Sequence, residues 1–213
     1  MQVTTLLTLA DSRLPTGGHV HSGGVEEAIA SGSVRDIATL DAFLRRRIRT
    51  SGATTASVAA AIVHGSLGTD DADAECDART PSPAARSASR AQGRGLLRLA
   101  KSAWPLHDWL SIGRRPHLGV AAGHVCLASG LSVADAAAVQ VYTTMTGSAI
   151  AAQRLLALDP AEVAACTIRL GDFCDDVAAA VCECLPDLME LSDPLLDMFA
   201  EAHAVRDRPL FVS

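Results

Sequence analysis

The chain has 213 residues, a net charge of -6, 49% hydrophobic residues and only 3% aromatic residues. The hydrophobic content excludes a disordered chain, and the length favours one domain spanning residues 1–213. A mildly acidic chain with so few aromatic side chains lacks the positive charge and stacking surfaces that nucleic-acid binding uses, so no nucleic-acid partner is predicted.

The first residues predict a cytoplasmic protein. No basic segment precedes the short apolar run that ends at Asp11, so the start of the chain differs from a secretory signal. The alanine-rich stretch 118–138 is interrupted by His124 and Asp135, and no run reaches the roughly 20 apolar residues that span a bilayer. We therefore expect no membrane partner, and we expect the six cysteines to be reduced.

Helices are predicted from the first residues onward, because alanine is abundant and no alternating strand pattern is present. A short helix around Leu6 should end at the turn of residues 15–18, where a proline and two glycines break regular structure. The next helix is predicted to begin at Ser22, whose hydroxyl can cap it, and to end near Gly32.

Ser33 and Asp36 have the spacing of a capping box and predict the start of a third helix. Its apolar face consists of Ile37, Leu40, Leu44 and Ile48. The rest of its surface carries the arginines at positions 45, 46, 47 and 49, which indicate either a solvated face or a surface for an acidic partner.

Residues 66–85 are acidic and rich in serine, glycine and proline, and predict a loop-rich insertion with a short helix near 70–78. Helix should resume over 84–100 and be interrupted at Trp104-Pro105 and again at 113–116. Gly93 and Gly95 are expected to let two helices approach closely.

The later helices have clear start signals. Ser132 and Asp135 form a capping-box pair, and both Asp159-Pro160 and Asp193-Pro194 place a capping aspartate before a first-turn proline. Apolar stripes over 133–155 and 163–188 then predict two long amphipathic helices. The predicted fold is all-α, a single-domain helical bundle of roughly eight to ten helices.

His19 and His21 are weak candidates for metal ligands in a glycine-rich loop, since two imidazoles without a third ligand do not make a tight site. Cys174, Cys182 and Cys184 suggest a thiolate cluster. The helical period instead places Cys184 and Cys166 on an apolar stripe, which favours core packing, and leaves Cys182 unexplained.

No catalytic elbow, zinc-protease motif or phosphate-binding loop is present, so neither an enzymatic activity nor a cofactor is predicted.

A stretch near the start of the chain resembles the N-terminal signature of the urease accessory protein F family. It reads Leu9-Ala10-Asp11-Ser12-Arg13-Leu14-Pro15-Thr16-Gly17-Gly18 and continues through His21-Ser22-Gly23 and Glu26. The family's second motif is similar to Ser87-Ala88-Ser89-Arg90-Ala91-Gln92-Gly93-Arg94-Gly95-Leu96-Leu97. A helix centred on Gly119, a helix end at Arg154-Leu155-Leu156 and a tail at Arg208-Pro209-Leu210-Phe211-Val212-Ser213 follow in the family's order. The chain differs from the family pattern at His19, at Ala157-Leu158-Asp159 and at Pro209.

The resemblance implies an all-α homodimer that binds the urease accessory protein called D or H. Through it the protein would recruit the accessory GTPase, called G, that brings nickel to apo-urease. Partner-binding positions carried over from the resemblance are Gly17, Gly18, His21, Ser22, Glu26, Arg94, Arg154, Arg208, Leu210 and Phe211. The tail, residues 205–213, is expected to dock on the D or H protein, and Arg154 to face the GTPase.

Two further hypotheses stay open from the sequence. In one, the chain activates the GTPase, with Arg94 or Arg154 offering positive charge to the transition state. In the other, it carries nickel itself on His19, His21 and the cysteines.

Overall fold

The computed structural model describes residues 2–213, with the side chain of His19 outside the described part. Helices cover most of these residues and none of them forms a strand, which confirms the all-α prediction. The α-helices, in chain order, are α1 (Val3–Ala10), α2 (Val25–Ala30), α3 (Ile37–Arg47), α4 (Ala53–His64), α5 (Thr69–Ala78), α6 (Pro83–Ala103), α7 (Leu118–Ser129), α8 (Val133–Leu156), α9 (Pro160–Arg169), α10 (Gly171–Cys184) and α11 (Pro194–Ala204). A 3₁₀ turn covers Gly18–Val20, and a π-helical segment, Ile48–Gly52, joins α3 to α4.

The start signals of the later helices are confirmed. The Ser132 hydroxyl accepts a hydrogen bond from the Asp135 N–H, and the Asp135 carboxylate accepts one from the Ser132 N–H. Asp159 and Asp193 each accept from a backbone N–H of the first turn, with a proline directly behind them. These short-range patterns are readable from sequence because all their atoms lie within four residues.

Two predicted helix starts were wrong. Helix α2 begins at Val25 after Gly24, whose left-handed backbone (φ 88°) ends the preceding turn, and not at Ser22. Helix α3 is capped by Asp36 together with Thr39, because the Thr39 hydroxyl can take the role usually filled by glutamate. Ser33 lies outside that helix.

The predicted helix over 163–188 was also wrong, because it consists of α9 and α10 with a break at Leu170. Leu170 is fully buried, and Gly171 follows it. Glycine is a poor helix former, and Gly171 is the first residue of α10, so the apolar stripe continues across two helices.

The centre of the bundle is α4, which packs between α7 and α8. Close approach depends on small residues, since a Cβ at Gly123 of α7 would lie 2.8 Å from the Cβ of Ile62 of α4. One apolar cluster joins α2, α3 and α8–α10, and a second joins α4, α6 and α7. The helices of the described part include none that is long and apolar enough to cross a membrane.

Helix α5 lies within residues 66–85 and is held to the bundle by a polar cluster. The Arg90 guanidinium donates to Asp73 and Asp77 at 2.8 Å each, and His117 Nε2 lies 2.9 Å from Asp77. His117 Nδ1 lies 3.0 Å from the Ser89 hydroxyl. The oxygen of that hydroxyl accepts a hydrogen bond from the Leu118 N–H. Burial lowers the pKa of His117, so the neutral ring donates to Asp77 and accepts from Ser89.

Candidate functional site

The tail, residues 205–213, is anchored on one buried carboxylate. Glu26 is 5% exposed, and its Oε1 accepts a hydrogen bond from the Leu210 N–H at 2.9 Å. Its Oε2 accepts from the Phe211 N–H at 3.1 Å and lies 3.0 Å from Nε2 of the buried His203. We call these contacts, with Glu26 at their centre, the tail clasp.

The loop before α2 places Glu26 at the clasp. Ser22 is fully buried, and its carbonyl accepts a hydrogen bond from the Ser148 hydroxyl of α8 at 3.1 Å. After the turn at Gly24, Glu26 lies in the first turn of α2, where a negative charge is favoured by the helix dipole.

The electrostatics of the clasp favour an ionised Glu26. Burial raises the pKa of this carboxyl, but the hydrogen bonds from Leu210, His203 and Phe211 together outweigh burial, so the pKa lies below its usual value. Arg206 adds positive charge nearby, because its guanidinium lies 2.6 Å from Glu27 and 3.9 Å from Glu26. The clasp is therefore a charged hydrogen-bond centre at neutral pH.

The end of the tail pairs with the loop in extended conformation. The Val212 N–H donates to the Val20 carbonyl at 2.7 Å, and the Ser22 N–H donates to the Ser213 carbonyl at 2.5 Å. His21 Nδ1 lies 2.5 Å from the Ser213 hydroxyl. The side chains then alternate, because Phe211 is buried while Leu210 and Val212 are 80% and 67% exposed.

Arg154, near the end of α8, lies beside the clasp. Its guanidinium carbon is 5.7 Å from the centre of the Phe211 ring, within the range of a cation–π contact. Several predicted binding positions thus come together: Glu26, Leu210 and Phe211 form the clasp, and His21, Ser22 and Arg154 contact the tail beside it. Arg208 lies in the tail turn with φ 52°.

Arg94 is a predicted position that lies outside this set. It is exposed on α6 between two glycines that contact turns. A Cβ at Gly95 would lie 1.9 Å from the Thr16 carbonyl oxygen, and one at Gly93 would lie 2.2 Å from that of Pro116. The expected close approach is present, but the partners are irregular segments and not a second helix.

Sequence reasoning missed His203, Arg206 and Ser213 as parts of the clasp. His203 and Glu26 are separated by 177 positions, and nothing in their local patterns links them. One signal in the sequence could have indicated the contact. Glu26 and Glu27 lie at the start of a short helix, and the tail contains two arginines, Arg206 and Arg208, of opposite charge.

The structure gives limited support to metal binding. The His19 side chain lies outside the described part, and His21 is engaged by Ser213. Among the described residues, the one group of three potential ligands within 4.8 Å is Asp73, Asp77 and His117. Arg90 already neutralises both of its carboxylates, so a cation would have to displace that guanidinium.

The cysteines pack in a different order from the predicted one. Cys166 is fully buried and Cys174 nearly so, with its Sγ 3.6 Å from the sulfur of Met145. Cys182 packs against the core and Cys184 is exposed, so placing Cys184 on the apolar stripe was wrong. The stripe does continue into α10 through the buried Val177 and Val181, but Cys184 is the last residue of that helix and is exposed.

The chain is similar to known proteins over almost its whole length. A family model described as UreF matches residues 34–171. The urease accessory protein UreF of Mycobacterium sp. (strain JLS) is 62% identical over 211 residues, which cover 99% of each chain. The protein of the same name from Mycobacterium tuberculosis is 61% identical over 211 residues, again 99% of each chain. That from Mycobacterium marinum is 61% identical over 208 residues, which cover 98% of this chain and 97% of the relative.

Proposed function

This chain belongs to the UreF family of urease accessory proteins, and we propose that it works in urease maturation as a non-enzymatic scaffold. In this proposal it links the accessory protein D or H to the accessory GTPase, so that nickel enters the active site of apo-urease. The family membership supports the role in maturation. The finer assignment is supported by the tail clasp.

One observation carries the proposal: the clasp holds the tail in place while two apolar side chains point away from it. The side chains of Leu210 and Val212 are exposed, although their own backbone N–H groups donate hydrogen bonds to Glu26 and to the Val20 carbonyl. A segment held in its binding conformation loses less entropy when a partner covers it. The tail therefore suits the D or H protein as its docking segment.

Arg154 suits the GTPase face because it is exposed and contacts the tail at Phe211. Its guanidinium covers the ring of Phe211, so a partner on the tail and a partner at Arg154 would share one buried aromatic residue. Arginine can then bind a carboxylate or phosphate with two parallel hydrogen bonds. In the scaffold proposal, the loop of residues 17–26 contributes to the surface between two copies of the chain through its partly exposed Gly17 and Gly18, because His21, Ser22 and Glu26 are buried within the chain.

The scaffold is tested by co-purification with the D or H protein and the GTPase. The full chain is compared with a chain that ends at Ala204, and circular dichroism checks that both are helical. We expect the shorter chain to lose the D or H protein. Recovery of the complete assembly with a chain ending at Ala204 would refute the role of the tail.

A second candidate function is activation of the GTPase. Arg94 favours it, because this exposed arginine forms no ion pair with any other described residue and is free to reach a partner. Single-turnover GTP hydrolysis is measured with Arg94→Ala and Arg154→Ala. An arginine that stabilises the transition state would raise the rate of GTP hydrolysis by a factor of about 10³ to 10⁵. Parent-like hydrolysis with intact binding would exclude that residue from this role.

A further inference from the structure

Arg47 differs from its neighbours in α3 because its charge is not paired. Arg45 and Arg46 bind Asp41 and Asp193 at 2.7 Å each. The Arg47 guanidinium donates from Nη1 to the Gly23 carbonyl at 2.7 Å, and its buried Nε has no partner. No carboxylate of the described residues forms an ion pair with it. A buried charge that is left uncompensated is destabilising, so this arrangement calls for a counter-charge.

The guanidinium borders a cavity of about 370 Å³, a volume within the range of small-molecule sites. The same cavity is lined by Arg79, whose Nε is likewise buried without a partner. Hydrogen-bond donors on its walls include the side chains of Gln140, Thr54 and Thr144. Arg79 differs from Arg47 because its Nη1 pairs with Glu75, whereas Arg47 forms no ion pair with any described carboxylate.

The backbone around Arg47 is built to hold this side chain in place. Gly23 has a left-handed backbone (φ 65°), and a Cβ there would lie 2.4 Å from the guanidinium carbon, so a larger residue would displace the guanidinium. The π-helical segment Ile48–Gly52 begins directly after Arg47, and such segments are rare and frequent at functional sites. At the end of that segment, a Cβ at Gly52 would lie 3.2 Å from the methyl carbon of Thr144.

None of the three aspartates of the cavity wall forms an ion pair with Arg47. Asp11 is paired with Arg13 at 2.6 Å, and Asp193 is paired with Arg46. Burial raises the pKa of Asp197, which disfavours its charged form. Burial also lowers the pKa of Arg47 to about 10, which leaves the guanidinium charged at neutral pH.

We propose that this cavity binds a small oxyanion through the guanidinium of Arg47, with the Gln140 amide as a second donor. Guanidinium binds planar and tetrahedral oxyanions through charge-assisted hydrogen bonds, which are about twice as strong as neutral ones. The cavity wall also includes His203 and Phe211 of the tail clasp, but the proposed donors, Arg47 and Gln140, differ from the exposed Leu210 and Val212 of the proposed docking surface.

Isothermal calorimetry on the full chain tests the site, with inorganic phosphate in one arm and bicarbonate in the other. We expect one saturable site per chain for at least one of these anions. Arg47→Met should weaken binding at least tenfold, and Arg49→Met, at an exposed arginine of the following π-helical segment, should leave the affinity unchanged. The proposal is overturned if the parent binds neither anion, or if Arg47→Met binds as tightly as the parent.

A second variant decides the question if Arg47→Met fails to fold. Gln140→Glu keeps the side-chain shape and places a carboxylate on the cavity wall, where it would repel an anion and pair with arginine. We expect it to abolish binding while helicity and melting temperature are retained. Gln153→Glu, on the same helix but away from the cavity wall, serves as the control. Parent-like affinity in Gln140→Glu would refute the site.

Discussion

Replacing Glu26 by glutamine preserves the shape of the side chain and removes its charge. The carboxylate accepts three hydrogen bonds, from Leu210, Phe211 and His203, and all of them need an acceptor. The amide of glutamine offers one oxygen, so at least one of the three donors would face an NH₂ group. The least damaging orientation keeps the oxygen toward Phe211 and His203 and loses the bond to Leu210.

The magnitude follows from these bonds. A buried hydrogen bond to a charged group contributes about 1.5–3 kcal/mol, and the two remaining bonds weaken when their acceptor becomes neutral. We expect Glu26→Gln to destabilise the docked tail by about 2–4 kcal/mol, which is roughly a 30- to 900-fold increase in tail opening. Glu27→Gln is the matched control, because it removes only the ion pair with the solvent-exposed Arg206, and surface ion pairs contribute little to stability.

Amide hydrogen exchange is the direct assay for this effect. The protected N–H groups of the tail, those of Leu210, Phe211 and Val212, should exchange much faster in Glu26→Gln than in Glu27→Gln. Exchange within α4 and α8 should change less, because the tail opens locally. Equal exchange rates in the two variants would refute the assignment of Glu26 as the centre of the clasp.

Three further predictions rest on single positions. Ala157 has a left-handed backbone (φ 50°) after α8, so Ala157→Gly should raise the free energy of unfolding by about 0.5–1 kcal/mol in thermal denaturation; a lower melting temperature would contradict this. Burial lowers the pKa of His124 from 6.5 to about 4, so stability should fall as the pH drops through that window, where the unfolded chain takes up the proton first. In His124→Asn the fall over this window should be smaller, and an unchanged pH dependence would disprove the assignment. Burial raises the pKa of Cys174 to about 11, so a thiol reagent should label the exposed Cys184 first; rapid labelling of Cys174 in the folded chain would count against the packing.

Much of the helical fold could be predicted because its signals are local. The caps at Ser132, Asp159 and Asp193 depend on side chains and backbone groups within one turn. The errors arose where a distant neighbour decided the outcome. The turn before α2 is held by the tail and by α8 through Ser22, and the break between α9 and α10 lies at the fully buried Leu170.

The candidate site could be predicted only in part. Glu26, Leu210 and Phe211 were identified through the resemblance, but their mutual contact was not, because it joins segments more than 180 residues apart. The absence of an ion pair at Arg47 could not be predicted either, because the sequence does not distinguish the four arginines at positions 45–49 from one another. Only the packing of Gly23 against one guanidinium distinguishes it.

The central claim is that the clasped tail presents Leu210 and Val212 to the D or H protein. The most direct test measures the affinity of that protein for Leu210→Asp/Val212→Asp, in which both exposed side chains become charged while the clasp stays intact. We predict at least a tenfold loss of affinity with an unchanged melting temperature. Leu110→Asp, at an exposed apolar residue outside the tail, should bind like the parent. Undiminished binding by the double variant would contradict the account.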